Sequence, residues 1–332
     1  HMNLSYLSLR QVIDMIDSYG RDINYLRVSV TDLCNLRCMY CMPEGGITKI
    51  RHSEILRLEE IYELVKIFVS LGIKKIRITG GEPLIRRGIV KLIQNIGSLS
   101  GIEDFAMTTN GMLLEKYAGN LKDAGLDRVN VSLDTLDRKK YRDITRGGCL
   151  KDVLDGIEEA RKVGLAPIKL NTVLISGFND SEIESFVGLT KNEEIDVRFI
   201  ELMPIGRTKD WSLDKFISNK VVLEKVKELK KIEREDVSSP AKYYKLPGGR
   251  GRVGLISPVS HKFCKNCNRV RLTADGKLKD CLLSDYEIDL KSALRNGENL
   301  KKIIIDSVKN KPERHNLEKG EYIKRNMTAI GG

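Results

Sequence analysis

No run of eighteen or more apolar residues occurs anywhere in this 332-residue sequence, so a membrane-crossing helix is not expected. The opening stretch, HMNLSYLSLRQVIDMIDSYGRDINYLRVSV, lacks an apolar signal core and a small-residue cleavage site, which removes the expectation of export. His1 before Met2 reads as a cloning remnant. No repeat of 20–50 residues and no low-complexity segment stands out, which argues against a solenoid. Cysteine is scarce but not scattered: of seven, six fall into two triplets and Cys149 is left over as a structural or spectator thiol. An odd count, tight clustering and no export signal point to reduced thiols acting as metal ligands in a cytoplasmic protein.

What is present is an ordinary soluble composition, 41% hydrophobic and 31% charged, with 57 basic against 46 acidic residues and a net charge of +11. Such an excess suits an anionic partner: a phosphorylated small molecule, RNA, or solubility alone. The Lys- and Glu-rich stretch VVLEKVKELKKIERED (221–236) reads as one charged helix with a solvated face rather than a nucleic-acid patch.

Strand and helix patterns alternate through the first two-thirds. Apolar, β-branched segments at NYLRVSV, KKIRITG, DFAMTT, RVNVSL, APIKLNTVLI and DVRFIELMP read as strands. Between them, helical periodicity runs through LEEIYELVKIFVSLG, RGIVKLIQNIGSL, LLEKYAGNLKDAG, VLDGIEEARKVG and SEIESFVGLT. Gly72, Gly125 and Gly164 supply helix stops. Six βα units imply an α/β fold with a parallel sheet, either an incomplete (β/α)6 barrel or an open doubly wound sheet. The pattern changes near residue 210, where Gly- and Pro-punctuated strands begin. RVRLTADGKLK (269–279) reads as a hairpin turning at Asp275-Gly276. The expected organisation is an extension over 1–24, a barrel over 25–210 and a C-terminal region over 211–332.

Cys34, Cys38 and Cys41 form a C-x3-C-x2-C triplet in TDLCNLRCMYCMP. A cubane iron–sulfur cluster normally takes four thiolates, so three leave one iron open to another ligand. Structural zinc prefers two-residue knuckles and a complete tetrahedral set, which this spacing fits poorly. The second triplet, Cys264-x2-Cys267-x13-Cys281, fits zinc or iron–sulfur, with His261 in range as a fourth zinc ligand. Arg269 and Arg271 follow it and would share one strand face, as suits an anionic substrate.

In parallel α/β folds function gathers at the carboxyl ends of strands. There the sequence places the first triplet, then Gly80-Gly81-Glu82-Pro83, Thr108-Thr109-Asn110, and Ser132 with Asp134. Lys169 and Asn171 lie on the fifth expected strand, and Arg198, Glu201 and Met203 on the sixth. Polar residues recurring in otherwise apolar strands suggest a lined cavity. The two glycines would let backbone approach a ligand, with Glu82 or a nearby carbonyl receiving an ammonium.

Taken together, these motifs resemble the radical S-adenosylmethionine superfamily. The C-x2-C-N-R-V-R-x9-C block and the Gly331-Gly332 pair resemble, more narrowly, the GTP 3′,8-cyclase family of molybdenum cofactor biosynthesis. The resemblance implies the incomplete TIM-like barrel, with a C-terminal extension carrying a second cluster. It implies S-adenosylmethionine and two [4Fe-4S] clusters, one on Cys34, Cys38 and Cys41 and one on Cys264, Cys267 and Cys281. Tyr40, Gly81, Glu82, Ser132 and Met203 would surround S-adenosylmethionine. Arg27, Arg77, Thr108, Lys169, Arg198, Arg269, Val270 and Arg271 would contact GTP. Arg27, Arg269, Arg271, Gly331 and Gly332 would serve catalysis.

The implied reaction starts from a 5′-deoxyadenosyl radical that takes the ribose 3′ hydrogen of GTP. The sugar radical then closes on guanine C8 to give (8S)-3′,8-cyclo-7,8-dihydroguanosine 5′-triphosphate. Implied partners are a reductant protein and the next-step cyclic pyranopterin monophosphate synthase, with a homodimer compatible and neither nucleic acid nor membrane expected. The competing readings are a radical enzyme modifying peptide or RNA with an auxiliary cluster, and a non-catalytic iron–sulfur carrier or RNA-binding module.

Overall fold

The computed structural model describes residues 15–46, 50–233 and 235–331. Its strands are β1 (Tyr25–Ser29), β2 (Lys75–Thr79), β3 (Asp104–Thr109), β4 (Arg128–Ser132), β5 (Ile168–Leu174), β6 (Ile195–Glu201), β7 (Lys230–Lys231), β8 (Ala241–Lys245), β9 (Arg252–Ile256), β10 (Arg269–Leu272), β11 (Lys277–Lys279) and β12 (Ile288–Asp289). All lie in one sheet ordered β12-β11-β10-β1-β2-β3-β4-β5-β6-β9-β8-β7. From β10 to β9 every neighbour is parallel. The six expected βα strands therefore form the centre, and the C-terminal region adds one parallel strand at each edge. Among the described residues β12 and β7 do not pair with each other, so the curved sheet stays an incomplete barrel.

Alternation along the strands explains the curvature's two faces. In β1, Leu26 and Val28 are fully buried in the helix-side core, while Tyr25 and Arg27 line the interior. β5 repeats the pattern: Ile168, Leu170 and Leu174 face the helices, Lys169, Asn171 and Val173 the interior. Each covering helix supplies a matching stripe. In Leu58–Ser70 the buried residues include Ile61, Leu64, Val65 and Phe68, the i, i+3, i+4, i+7 spacing of one helical face. Its Glu60 sits in the first turn, accepts from Arg57 N at 2.8 Å and pairs with Arg295 Nε at 2.8 Å, tying the helix to the C-terminal region. Helices Ile89–Gly97, Leu114–Asp123, Leu150–Lys162 and Ile183–Asn192 fill the other expected positions. Cys149 is exposed, at the N-cap of Leu150–Lys162.

The hairpin expected at Asp275-Gly276 is β10–β11, with Gly276 at φ +81°. The stretch 221–236 departs from the expected single helix. The helix stops at Lys225, and β7 then pairs with β8. Val222, Val226 and Leu229 are buried, and that spacing turns the chain inward instead of leaving one solvated face. Its exposed end carries ion pairs: Asp236 pairs with Lys75 at 2.6 Å and Glu235 with Arg252 at 3.1 Å at one mouth of the barrel.

Gly251 lets β9 join the barrel edge. A Cβ there would stand 2.0 Å from Ile195 O and 2.9 Å from Glu193 O. Gly251→Ala should cost about 1–3 kcal/mol or more, as overpacking against rigid backbone does; urea unfolding of the two proteins measures it, and equal midpoints would refute it.

Candidate active site

A cavity of about 540 Å³ runs through the barrel interior, within the size range of ligand sites. The two cysteine triplets stand at its opposite ends for a topological reason. β1 runs into Cys34, Cys38 and Cys41 beyond its carboxyl end. Cys264 and Cys267 precede β10, which lies parallel beside β1 with Arg269 opposite Tyr25. The thirteen residues between Cys267 and Cys281 climb β10 and descend β11, returning Cys281 to the end where Cys267 stands. Four residue steps along β1 separate the ends by about 13 Å of strand.

All six thiols line the cavity and none is in a disulfide. Burial, then the neighbouring thiols Cys41 and Cys34 with Asp134 between them in effect, pushes Cys38 well above the usual thiol range. Burial, then Cys34, pushes Cys41 up to about 12. Within the second triplet, burial raises Cys267 but Arg269 and Lys311 more than reverse it, bringing it down to about 6. Among the described residues no three His, Cys, Asp or Glu side chains converge on a single metal ion. His261, the fourth zinc ligand considered above, lines a separate surface pocket with Lys262 and Lys265. Three soft thiols at each end, within electrostatic reach of one another and one donor short of four, fit an iron–sulfur cluster with an open iron.

The glycines of Gly80-Gly81-Glu82-Pro83 line the cavity and have a further use that the sequence did not show. A Cβ on Gly81 would lie 2.3 Å from Leu33 O, and one on Gly80 would lie 2.9 Å from Thr31 O. Gly81 N and Glu82 N donate to Thr31 O and Leu33 O, both at 2.8 Å. Backbone thus meets backbone, seating the loop that carries the first triplet. Glu82 is fully buried and does not line the cavity. Its carboxylate accepts from Leu84 N, Thr109 Oγ1 and Asn110 N at 2.7–2.9 Å, so it braces the motif against β3 from behind the cavity wall and does not face a ligand's ammonium. Burial holds it up at about 7 despite those three donors.

Tyr40, Gly81, Ser132 and Met203 line the first-triplet end. The Tyr40 hydroxyl donates to Asp134 Oδ2 at 2.7 Å, and Val173 N donates to Asp134 Oδ1 at 2.9 Å, which fixes the ring. Asp134 is a residue the strand-end reading named without a role.

Toward the second triplet the lining is cationic. Arg27, Arg77, Thr108, Lys169, Arg198, Arg269 and Arg271 all reach the cavity. Val270 does not; its side chain lies in the core behind the sheet. Burial, then Arg271 and Arg77, holds Arg27 well below the usual guanidinium range. Arg77 and Arg271 fall to about 10, burial again acting first. Lys169 drops to about 7 through burial, then Arg128 and Arg198. Some lining cations have carboxylates: Arg128 pairs with Asp104 at 2.6 Å and Arg252 with Asp196 at 2.8 Å. Others do not. Nε and Nη2 of Arg198 and Arg269, and Nε of Arg77, are buried with no hydrogen-bond partner among the described residues. Buried donors of like charge without acceptors define a site for a polyanion.

Lys75, Arg128 and Arg252 were not singled out in the sequence. Lys75 stands two residues before Arg77 on the same strand face, and period-two counting from Arg77 would have found it. The chain's far end also enters: Arg271 Nη1 donates to Gly331 O at 2.7 Å, and a Cβ on Gly331 would stand 2.6 Å from Thr79 Oγ1. Gly332 lies outside the described residues.

Comparison with known proteins matches this arrangement. The Radical SAM superfamily matches residues 28–190 and Molybdenum Cofactor Synthesis C matches residues 195–317. The GTP 3′,8-cyclase of Peptoclostridium acidaminophilum is 61% identical over 319 residues, 96% of this chain and 98% of that protein. That of Alkaliphilus oremlandii is 57% identical over 96% of this chain and 100% of its own length. The chain belongs to the GTP 3′,8-cyclase family. Among solved structures, Streptococcus suis SuiB superposes with a TM-score of 0.58 at 13% identity, over 88% of this chain and 68% of that one, a likeness of fold alone. Membership in the cyclase family identifies the chain as an enzyme with a radical SAM fold and a molybdenum-cofactor-synthesis C-terminal region, and it sets aside the carrier and RNA-binding readings.

Gly81→Ala should unseat the first-triplet loop of this family member. The expected result is a lower melting temperature together with incomplete iron uptake by a variant in which Cys264, Cys267 and Cys281 are replaced by Ala. Full iron loading there would contradict the seating role.

Proposed function

We propose that this chain converts GTP to (8S)-3′,8-cyclo-7,8-dihydroguanosine 5′-triphosphate in molybdenum cofactor biosynthesis. The observation that carries the substrate reading is the set of acceptor-less buried guanidinium donors at the second-triplet end. A triphosphate carries about four negative charges and many acceptor oxygens, which those donors lack. When bound, the first cluster with S-adenosylmethionine supplies a 5′-deoxyadenosyl radical for the ribose 3′ hydrogen.

The protein's own part is holding, orienting and excluding water. Cys34, Cys38 and Cys41 would hold the first cluster, with Tyr40, Gly81, Ser132 and Met203 around S-adenosylmethionine. Cys264, Cys267 and Cys281 would hold a second [4Fe-4S] cluster beside the guanine. Arg27, Arg77, Thr108, Lys169, Arg198, Arg269 and Arg271 would take the nucleotide. Residues 25–210 would thus form the radical-generating barrel and most of the nucleotide contacts, and 211–332 would carry the second cluster, Arg269, Arg271 and the Gly-Gly tail. Gly331 and Gly332 would complete the site, since Arg271 already holds the Gly331 carbonyl within it. A cytoplasmic location, a reductant protein, hand-over to cyclic pyranopterin monophosphate synthase and a homodimer complete the reading. Among the described residues no helix is long and apolar enough to cross a membrane.

The deciding assay is anaerobic: reconstituted protein, dithionite, S-adenosylmethionine and GTP should give 5′-deoxyadenosine and a cyclised nucleotide, with about eight irons per chain. GTP-independent 5′-deoxyadenosine without cyclised product would reject the cyclase reading. Removing Gly331 and Gly332 should suppress product while iron content stays unchanged; full turnover would refute the tail's role.

Lys169 gives a pH signature. Free, it titrates near about 7 because burial and two guanidiniums oppose its charge; a bound triphosphate would raise it. GTP affinity should therefore be greatest below that pH and fall as pH rises toward 9, with proton uptake on binding. Lys169→Met should bind more weakly below pH 7 and lose this component, measurable by calorimetry in buffers of different ionisation enthalpy.

A further inference from the structure

Tyr25 has a role that neither the motifs nor the family assignment gives it. It opens β1 on the interior face, in register with Arg269 on one side and Lys75 on the other. It lines the cavity. Its hydroxyl is buried and has no hydrogen-bond partner among the described residues. The Arg77 guanidinium lies 5.4 Å from the centre of its ring, a cation–π distance. The phenol is within electrostatic reach of the guanidiniums of Arg27, Arg77, Arg128, Arg198 and Arg271.

That surrounding decides what the hydroxyl lacks. Guanidinium groups are donors only, with no lone pair to offer. A phenol can donate one hydrogen bond; its guanidinium neighbours supply no acceptor, and the carboxylates Asp104 and Asp236 that also line the cavity are held by Arg128 and Lys75. The missing partner is therefore an acceptor, and one that the arginines also attract. An aliphatic or aromatic ligand group would leave the hydroxyl and the arginine nitrogens of Arg77, Arg198 and Arg269 all unsatisfied at once. An anionic oxygen satisfies them together.

We propose that Tyr25 is a further substrate-binding residue, its hydroxyl donating to a phosphate oxygen while its ring orients Arg77 toward the same group. This rests on GTP being the ligand. The division of labour within one side chain makes it separable: Tyr25→Phe keeps the ring under Arg77 and removes only the donor. Tyr25→Leu removes both.

The test measures binding of GTP, guanosine and inorganic tripolyphosphate to the cluster-loaded wild type and both variants by anaerobic calorimetry, with melting curves without nucleotide. For Tyr25→Phe the expectation is a loss of roughly tenfold or more for GTP and for tripolyphosphate, the scale of a hydrogen bond to a charged acceptor, with guanosine unchanged. Its melting temperature without nucleotide should equal or exceed that of the wild type, because a partnerless hydroxyl stabilises nothing. Tyr25→Leu should weaken both phosphate ligands further. Unchanged GTP affinity in Tyr25→Phe overturns the proposal, and so does a loss for GTP without one for tripolyphosphate, which would place the hydroxyl on the nucleoside. A lowered melting temperature in Tyr25→Phe would show that the hydroxyl is already engaged and also overturns it. Failure of the wild type to bind GTP would instead strike the substrate reading itself.

Discussion

Burying a cluster of like-charged guanidiniums is the constraint around which this molecule is arranged. Arg27, Arg77 and Arg271 stand on three adjacent strands at one level, each disfavoured first by burial and then by neighbouring guanidiniums: Arg271 and Arg77 for Arg27, Arg128 and Arg198 for Arg77, Arg269 for Arg271. A cluster of that kind opposes folding unless something else holds the strands. What holds them is the opposite face of the same strands, where Leu26, Val28, Ile76, Ile78, Val270 and Leu272 are buried against helices. Burial of large aliphatic side chains contributes about 1.5–3 kcal/mol each, and the period of two places one such residue behind nearly every charged one. The apolar face makes the cationic face possible.

The carboxylates refine this balance. Asp104 and Asp196 neutralise Arg128 and Arg252 with short, partly buried pairs, while Arg198 and Arg269 keep free donors. The distinction is chemical as well as structural, because a paired guanidinium is a wall and an unpaired one is a receptor. Both kinds line one cavity of about 540 Å³, so the charge is arranged before any substrate arrives, which is what preorganisation requires.

Much of this was legible in the sequence. Helix stops at Gly72, Gly125 and Gly164, alternation in RVNVSL and RFIEL, and cysteine spacing gave the barrel, its core face and both triplets, since each depends on local periodicity. The stretch 221–236 was misread because its charge outweighed its apolar residues by count, whereas the placing of Val222, Val226 and Leu229 decides its path. Glu82 and the close approach at Gly81 were given to a ligand because a sequence shows that backbone must come close to something, not to what. Their partners, Leu33 and Asn110, are distant in sequence and appear only when β1, β2 and β3 lie side by side. Tyr25 was passed over for a similar reason: a tyrosine opening a strand is ordinary until its neighbours turn out to be donors.

The β10–β11 hairpin that brings Cys281 back beside Cys267 makes the sheet a ruler. One triplet is hung from the far end of β1 and the other from the near end of its neighbour, so their separation is measured out in residue steps rather than set by a flexible linker. Slipping β10 by two residues would keep every side chain on its proper face, yet move one cysteine triplet by about 7 Å relative to the other. Evolution of a new substrate length in such a scaffold has a discrete gauge, advancing by strand pairs and not by fractions of an ångström.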